Sequence, residues 1–214
     1  MLIITDIYRE YKIFAGLQKH MLSVAAVAKI ICEYSKIDLE TEHIISACLL
    51  HDMGNIIKSD LPRFPELLEP EGLEYWQSVQ NEFFLKYGHD EHRATMIVAG
   101  EIGVSSRTLE AIKHIGFSYI GAVYDIADIF LKICSYCDMR VGPQGIFSLD
   151  ERLDDLQVRY SKRGKYDTAI FPKYHMYLHN FETEIFSTTD ITPEFITDER
   201  IAPVIEELKN WHVV

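Results

Sequence analysis

One stretch decides the fold of this chain: Ala47-Cys48-Leu49-Leu50-His51-Asp52-Met53-Gly54-Asn55. Small and apolar residues lead directly into an imidazole and a carboxylate, and a glycine follows. A helix entering a core explains the apolar residues, but a buried carboxylate is costly unless it is paired or binds a metal. An imidazole beside a carboxylate is a common pair of metal ligands. The structural alternative is that His51 ends a helix and Asp52 begins a turn with Gly54.

The composition is that of a soluble globular protein. The chain has 214 residues, of which 48% are hydrophobic and 25% are charged, which suits one domain with an appendage. The formal net charge of -12 argues against non-specific binding of nucleic acid or of an anionic membrane. Because no apolar run reaches membrane-spanning length and residues 1–13 lack a signal-peptide pattern, we expect a cytoplasmic protein without membrane association.

Hydrophobic spacing predicts an all-α protein. Intervals of three and four residues predict a helix over residues 17–34, with an apolar stripe formed by Leu17, Met21, Val24, Val27 or Ala28, and Ile31. Further helices are predicted over residues 1–10, 38 or 41 to 52, 73–87, 89–101, 109–114, 122–137, 148–160, 172–186 and 193–211. A sustained strand pattern is absent from the sequence.

The four cysteines lie within these apolar patterns. Cys134-Ser-Tyr-Cys137 has the CxxC spacing of some zinc and redox sites. A second closely spaced pair, as in a zinc ribbon, is missing, since Cys32 and Cys48 are far apart in sequence. We therefore expect four reduced thiols in the core.

Several potential metal ligands fall at the ends or in the first turns of predicted helices. Two imidazoles and two carboxylates, those of His20, His51, Asp52 and Asp138, suit a manganese, iron or zinc ion better than calcium. Further imidazoles lie between Asp52 and Asp138 in sequence. If two of these joined the site with Asp52 as a bridge, two ions would act together on a phosphoryl group.

The order of these residues resembles that of the HD-domain metal-dependent phosphohydrolases. In this chain 31 residues separate His20 from His51, and 86 separate Asp52 from Asp138. Leu49 to Gly54 fits the family's core motif closely, and the residues after Asp138 resemble the stretch that carries the last ligand in many members. The resemblance extends over roughly residues 15 to 160. It implies an HD-like helical bundle over residues 1–165. The final 50 or so residues fall outside the resemblance, and from their own pattern we expect residues 166–214 to form a helical C-terminal extension that packs on the bundle.

The resemblance also implies which residues bind metal. His20, His51, Asp52 and Asp138 would hold a divalent transition metal, namely manganese, iron, cobalt, nickel or zinc, with magnesium as a further option. His89 and His114 match positions that bind a second metal in some members, so we expect them to bind a second ion or to contact phosphate. His92 lies one helical turn from His89 and is the alternative candidate for the same position. For His92 we expect instead a place on a solvated face of the helix.

The activity implied is hydrolysis of a phosphate ester in a small substrate, with nucleotides among the candidates. Asp52 would orient the attacking water, and His114 or His89 would protonate the leaving group. Three cations near the motifs could bind phosphate oxygens, although such residues are more often solvated: Lys58, Lys113 and Arg140. Two positions depart from the family pattern. Asn55 stands where many relatives have a lysine, and His114 is a single histidine where some branches have two. The substrate and the number of metals therefore stay open.

Two other classes remain compatible with the sequence. A few HD-type proteins are mixed-valent di-iron oxygenases, which would require both additional histidines to bind iron. A non-catalytic signalling domain would keep the helices without the chemistry. The aromatic C-terminal tail suits a homodimer as well as packing on its own core, and the proline-containing loop over residues 61–72 is either a lid or a surface connection.

Overall fold

A computed structural model of the protein describes residues 2–63, 68–163 and 170–214. Eleven α-helices occur in these residues, so the predicted all-α class is confirmed. They are α1 Ile4–Glu10, α2 Ala15–Glu33, α3 Thr41–Leu50, α4 Gly72–Tyr87, α5 Glu91–Ile102, α6 Ser106–His114, α7 Ile120–Ile126, α8 Ile129–Arg140, α9 Leu149–Arg163, α10 Ile170–Ser187 and α11 Asp198–Leu208. A two-stranded antiparallel hairpin follows α8, with β1 Val141–Gly142 paired to β2 Gly145–Ile146. Four residues of the predicted 61–72 loop, 64–67, lie outside the described residues.

Helices α2 and α3 form the centre of the core. The middle of α2, from Val24 to Ala28, has no solvent-exposed surface, and Ile44 to Leu50 of α3 are also fully buried. A helix that is apolar all round is one that other elements surround. Helices α6 and α8 pack against α3, and α8 and α11 pack against α2. The core is therefore built around the helix that ends at the His-Asp pair.

Gly54 fixes the turn that follows α3 against α5. A Cβ atom at this position would lie 2.3 Å from the carbonyl oxygen of Glu91 and 2.8 Å from Ala94 Cβ. The Gly54 amide donates a hydrogen bond of 2.9 Å to Thr95 Oγ1. Only glycine permits this approach, so the turn after His51-Asp52 is held in one position by the packing of α5.

The predicted single helix over residues 122–137 is wrong. It is divided at Ala127, which has a left-handed backbone conformation with φ of 57° and ends α7. Asp128 then caps α8 by accepting a hydrogen bond of 3.0 Å from the Phe130 amide, and it pairs with Arg107 at 2.9 Å. The chain thus ends α7 and begins α8 at Asp128, which has a structural role.

The C-terminal residues are tied to the rest of the chain. Helix α10 packs against α7, α8 and α9, and α11 packs against α2. The Ile4 amide donates to the Trp211 carbonyl at 2.9 Å, and the Val214 amide donates to Ser46 Oγ at 3.2 Å. The predicted domain boundary at 165/166 falls in residues 164–169, outside the described residues. The predicted helix over 193–211 is shorter than expected, because a 3₁₀ turn at Pro193–Phe195 precedes α11.

All four cysteines are free thiols, as the sequence predicts. Cys48, Cys134 and Cys137 are buried, and Cys32 is partly exposed. Burial raises the pKa of Cys32 to about 12, which leaves its thiol protonated at neutral pH. No helix in the described part of the chain has both the length and the hydropathy needed to cross a lipid bilayer.

Candidate metal centre

Three helices that pack against one another bring the four predicted metal ligands together. His20 lies in the second turn of α2, and Asp138 lies in the last turn of α8. His51 and Asp52 directly follow the last residue of α3. Because α2, α3 and α8 are in mutual contact, residues that are far apart in sequence converge where these helices meet.

The donor atoms of these side chains are close enough to share one ion. His20 Nε2 lies 3.3 Å from Asp138 Oδ1 and 3.6 Å from Asp52 Oδ2. His51 Nε2 lies 3.5 Å from the same oxygen of Asp138 and 3.7 Å from the same oxygen of Asp52. Donors that bind one ion at about 2.0–2.2 Å stand roughly 3–3.5 Å from one another. Each of these imidazole–carboxylate distances therefore fits a shared divalent metal, and the donor atoms of His20, His51 and Asp52 all lie within 4.8 Å of one another.

The tautomer of His51 provides an independent test of that fit. Its Nδ1 lies 2.8 Å from the Cys48 carbonyl oxygen, so Nδ1 carries the proton and donates it there. Nε2 therefore faces the carboxylates and is the nitrogen available to a metal, and this buried atom has no hydrogen-bond partner. Metal-binding histidines commonly have this arrangement, with the second nitrogen held by a carbonyl or carboxylate. A cation among the carboxylates would give Nε2 the partner it lacks.

The electrostatics of the cluster also favour a cation. Burial acts to lower the pKa of His51, but Asp52 and Asp138 raise it to about 9. Burial acts to raise the pKa of Asp138, but His20 and His51 hold it well below its ordinary value. Two carboxylates in a largely buried site attract positive charge strongly. A bound divalent ion would supply that charge.

A polar cleft of about 120 Å³ opens beside His51 and Asp52. It is lined by the turn after the pair, by α5, by the residues after α6 and by one side chain of α9. The other lining residues are Asn55, Lys58, Glu91, His92, Thr95, Ile115, Gly116, Phe117, Ser118, Tyr119 and Tyr160. A substrate in this cleft would meet the His-Asp pair at one end.

His92 lies in this cleft, which corrects the expectation of a solvated helix face. The residue is partly buried, and its Nε2 is buried without a hydrogen-bond partner. Its ring packs on Tyr119, with ring centroids 4.6 Å apart. Burial lowers the pKa of His92, so its imidazole is neutral near pH 7. The sequence contained a usable signal, because Asp90 caps α5 and thereby places His92 one turn before Thr95, on the inner face.

The two histidines predicted to join the centre are not among the cleft residues. His89 precedes the N-cap of α5, is exposed, and lies against Phe84 with ring centroids 4.7 Å apart. His114 ends α6, and its Nδ1 lies 2.8 Å from the Glu110 carbonyl oxygen. The prediction of a second ion depended on these residues, and their positions do not support it.

The three predicted phosphate-binding cations have different environments. Lys58 lines the cleft, with Nζ 3.5 Å from Glu91 Oε1. Lys113 is exposed and does not line the cleft. Arg140 is buried, which argues against a role in binding phosphate. Its guanidinium donates to Phe147 O at 2.6 Å, to Tyr136 Oη at 2.6 Å and to Pro193 O at 3.2 Å.

An all-helical bundle with two histidines and two aspartates converging where its central helices meet defines a class of proteins with a divalent-metal centre. The HD domain family model matches residues 17–140, more than half of the chain, and this range includes all four residues of the cluster. The chain belongs to the HD domain family, whose members bind divalent metal and are mostly metal-dependent hydrolases. No curated protein and no solved structure matches it.

Proposed function

We propose that this protein is a metal-dependent phosphohydrolase that cleaves a phosphate ester in a small metabolite or nucleotide. The observation that carries the proposal is that His51 and Asp52, two of the four clustered residues, line a polar cleft. Each imidazole of His20 and His51 lies 3.3–3.7 Å from a carboxylate oxygen of Asp52 and of Asp138. Lys58 and His92 line the same cleft and are suited to contact phosphate.

The residues of the cluster would hold one divalent ion. When bound there, such an ion lowers the pKa of a water molecule and polarises a phosphoryl oxygen. Cys48 fixes the ring of His51, whose Nε2 lies 3.5 Å from Asp138 Oδ1. Asp52 borders the cleft and is partly exposed, so its carboxylate is the group placed to accept a hydrogen bond from the attacking water and to orient it toward phosphorus.

The cleft provides the remaining contacts to an anionic substrate. In a chain with a net charge of -12, phosphate needs a local cation, and Lys58 supplies one. The Asn55 amide group can donate a hydrogen bond to a phosphoryl oxygen. Glu91, opposite Lys58, restrains the lysine. The rings of Tyr119 and Tyr160 also line the cleft and suit a planar base or sugar attached to the phosphate.

The test is hydrolysis of a substrate panel by purified protein stripped of metal with a chelator. Phosphomonoesters, phosphodiesters and nucleotides would each be assayed with manganese, iron, cobalt, nickel, zinc or magnesium. We expect metal-dependent turnover of at least one class, and its loss in Asp52→Asn. His212→Gln, at an exposed position outside the cleft, is the matched control and should retain activity. Absence of turnover with every substrate and metal would overturn the proposal.

A further inference from the structure

A second cluster of metal-ligand side chains lies between α9 and α10. Asp150 belongs to the first turn of α9, and His175 and His179 lie on α10. Asp150 Oδ1 is 3.0 Å from His175 Nε2 and 2.8 Å from His179 Nε2. The cluster shares no residue with the centre formed by His20, His51, Asp52 and Asp138, or with the cleft beside it.

Local structure explains why these three side chains meet. Histidines four residues apart lie on one face of a helix, and the rings of His175 and His179 have centroids 4.4 Å apart. Ser148 and Glu151 form a capping box that sets the start of α9: the Ser148 amide donates to Glu151 Oε2 at 2.9 Å. Since α9 packs against α10, the first turn of α9 presents Asp150 to both rings.

We infer that Asp150, His175 and His179 form a binding site for a divalent transition-metal ion of the zinc type. Two imidazoles and one carboxylate are a recurrent ligand set for such ions, and the three protein ligands leave positions for water. Both rings direct the same nitrogen, Nε2, at one carboxylate oxygen. The donor atoms all lie within 4.8 Å of one another, so small side-chain rotations bring them to ligand distances from one ion.

The surroundings of the site favour an ion that exchanges with solvent. All three side chains are at least 37% exposed, so the ion could enter and leave without a change in fold. Asp150 and His179 also line a cavity of about 370 Å³, and His175 lines a separate cleft of about 250 Å³ together with Asp154. Asp154 is one helical turn after Asp150 and adds a second carboxylate on the same side.

A bound ion would add a direct connection between α9 and α10, which are joined in sequence by residues 164–169. Asp150 is at the beginning of α9, and the two histidines are among the first ten residues of α10. A ligand that binds only the folded arrangement stabilises it by mass action. The predicted consequence is that zinc stabilises the packing of α9 on α10, separately from any effect at the HD centre.

The experiment counts ions in the full-length protein without a histidine tag. Chelator-stripped wild type and the double variant His175→Ala/His179→Ala are dialysed against Zn²⁺, and bound zinc per chain is measured by elemental analysis. We expect wild type to hold one more ion per chain than the double variant. Asp150→Asn keeps the shape of the side chain and should lower zinc affinity at this site by ~100-fold, because loss of even an outer partner of a metal site costs about 10- to 100-fold.

Two further measurements make the result decisive. His212→Ala removes an exposed histidine outside the cluster and should bind as much zinc as wild type. Zinc at 100 times its dissociation constant should raise the Tm of wild type by about 5–10 °C more than that of the double variant. Because the HD centre is the same in both proteins, its occupancy cancels in the comparison. Equal zinc content and equal Tm shifts in folded wild type and double variant would overturn the inference.

Discussion

The carbonyl oxygen of Cys48 accepts a hydrogen bond of 2.8 Å from His51 Nδ1 across the last turn of α3. This contact commits Nδ1 to Cys48 and leaves Nε2, which faces Asp52 and Asp138, as the nitrogen available to a metal ion. Helix α3 therefore determines both where the imidazole lies and which of its two nitrogens is available to an ion. A ring that is already oriented loses little conformational entropy when it binds an ion.

Replacing His51 should separate metal binding from folding. In His51→Ala we expect the metal content at the centre to fall and the hydrolytic rate to decrease by ~100-fold or more, since one ligand and its oriented lone pair are lost. Elemental analysis and a substrate assay on the same preparation measure the two effects. Circular dichroism would show whether α3 remains intact. Full metal content together with full activity in the folded variant would contradict the role given to His51.

His92 and His89 form a matched pair for testing the wall of the cleft. His92 lines the cleft and His89 is exposed, although only three residues separate them. We expect His92→Asn to lower kcat/KM by ~100-fold, within the range of a positioned proton donor or acceptor, and His89→Asn to change it less than about twofold. Metal content should stay the same in both variants. A larger loss in His89→Asn than in His92→Asn would favour the assignment based on family resemblance.

The sequence predicted the class of fold because apolar spacing located the helices. The order of histidines and aspartates selected four residues that the fold brings close together, and their binding of metal stays a prediction. The break at Ala127 was missed because apolar spacing continues through it without glycine or proline. Aspartate is a preferred residue at the N-cap of a helix, so Asp128 could indicate the start of α8, but aspartates are also common on solvated helix faces.

The remaining errors concern tertiary placement. Whether His89 or His92 faces the cleft depends on where α5 begins, and a shift of one residue rotates the helix by about 100°. The environment of Arg140 depends on contacts with Phe147 and Pro193, and sequence spacing does not determine the second of these. The meeting of Asp150 with two histidines on α10 likewise depends on how two helices pack.

Gly54 tests whether the turn after the His-Asp pair needs close contact with α5. Alanine there would place Cβ 2.3 Å from the Glu91 carbonyl oxygen, so we expect Gly54→Ala to lower the free energy of unfolding by about 2–3 kcal/mol. Gly100 is the control, since a Cβ at that helical position has no neighbour within 4 Å. Gly100→Ala should raise stability by about 0.5–1 kcal/mol. Urea denaturation measures both changes, and equal stability of the two variants would refute the close-contact argument.

Substitutions of Arg140 and Lys58 should distinguish a cation that stabilises the fold from one that contacts substrate. Arg140 donates to three protein oxygens in a buried position, so Arg140→Lys should lower the free energy of unfolding by about 2–3 kcal/mol because lysine cannot reproduce the planar fork.

Lys58, at the cleft, should behave in the opposite way. Lys58→Ala removes a partly exposed side chain, so we expect stability to change by less than about 0.5 kcal/mol. KM for the phosphorylated substrate should rise by ~10-fold as an interaction with the phosphate is lost. Denaturation curves and steady-state kinetics on both variants measure the two quantities. If Arg140→Lys raised KM without loss of stability, phosphate binding would have to be assigned to Arg140 instead.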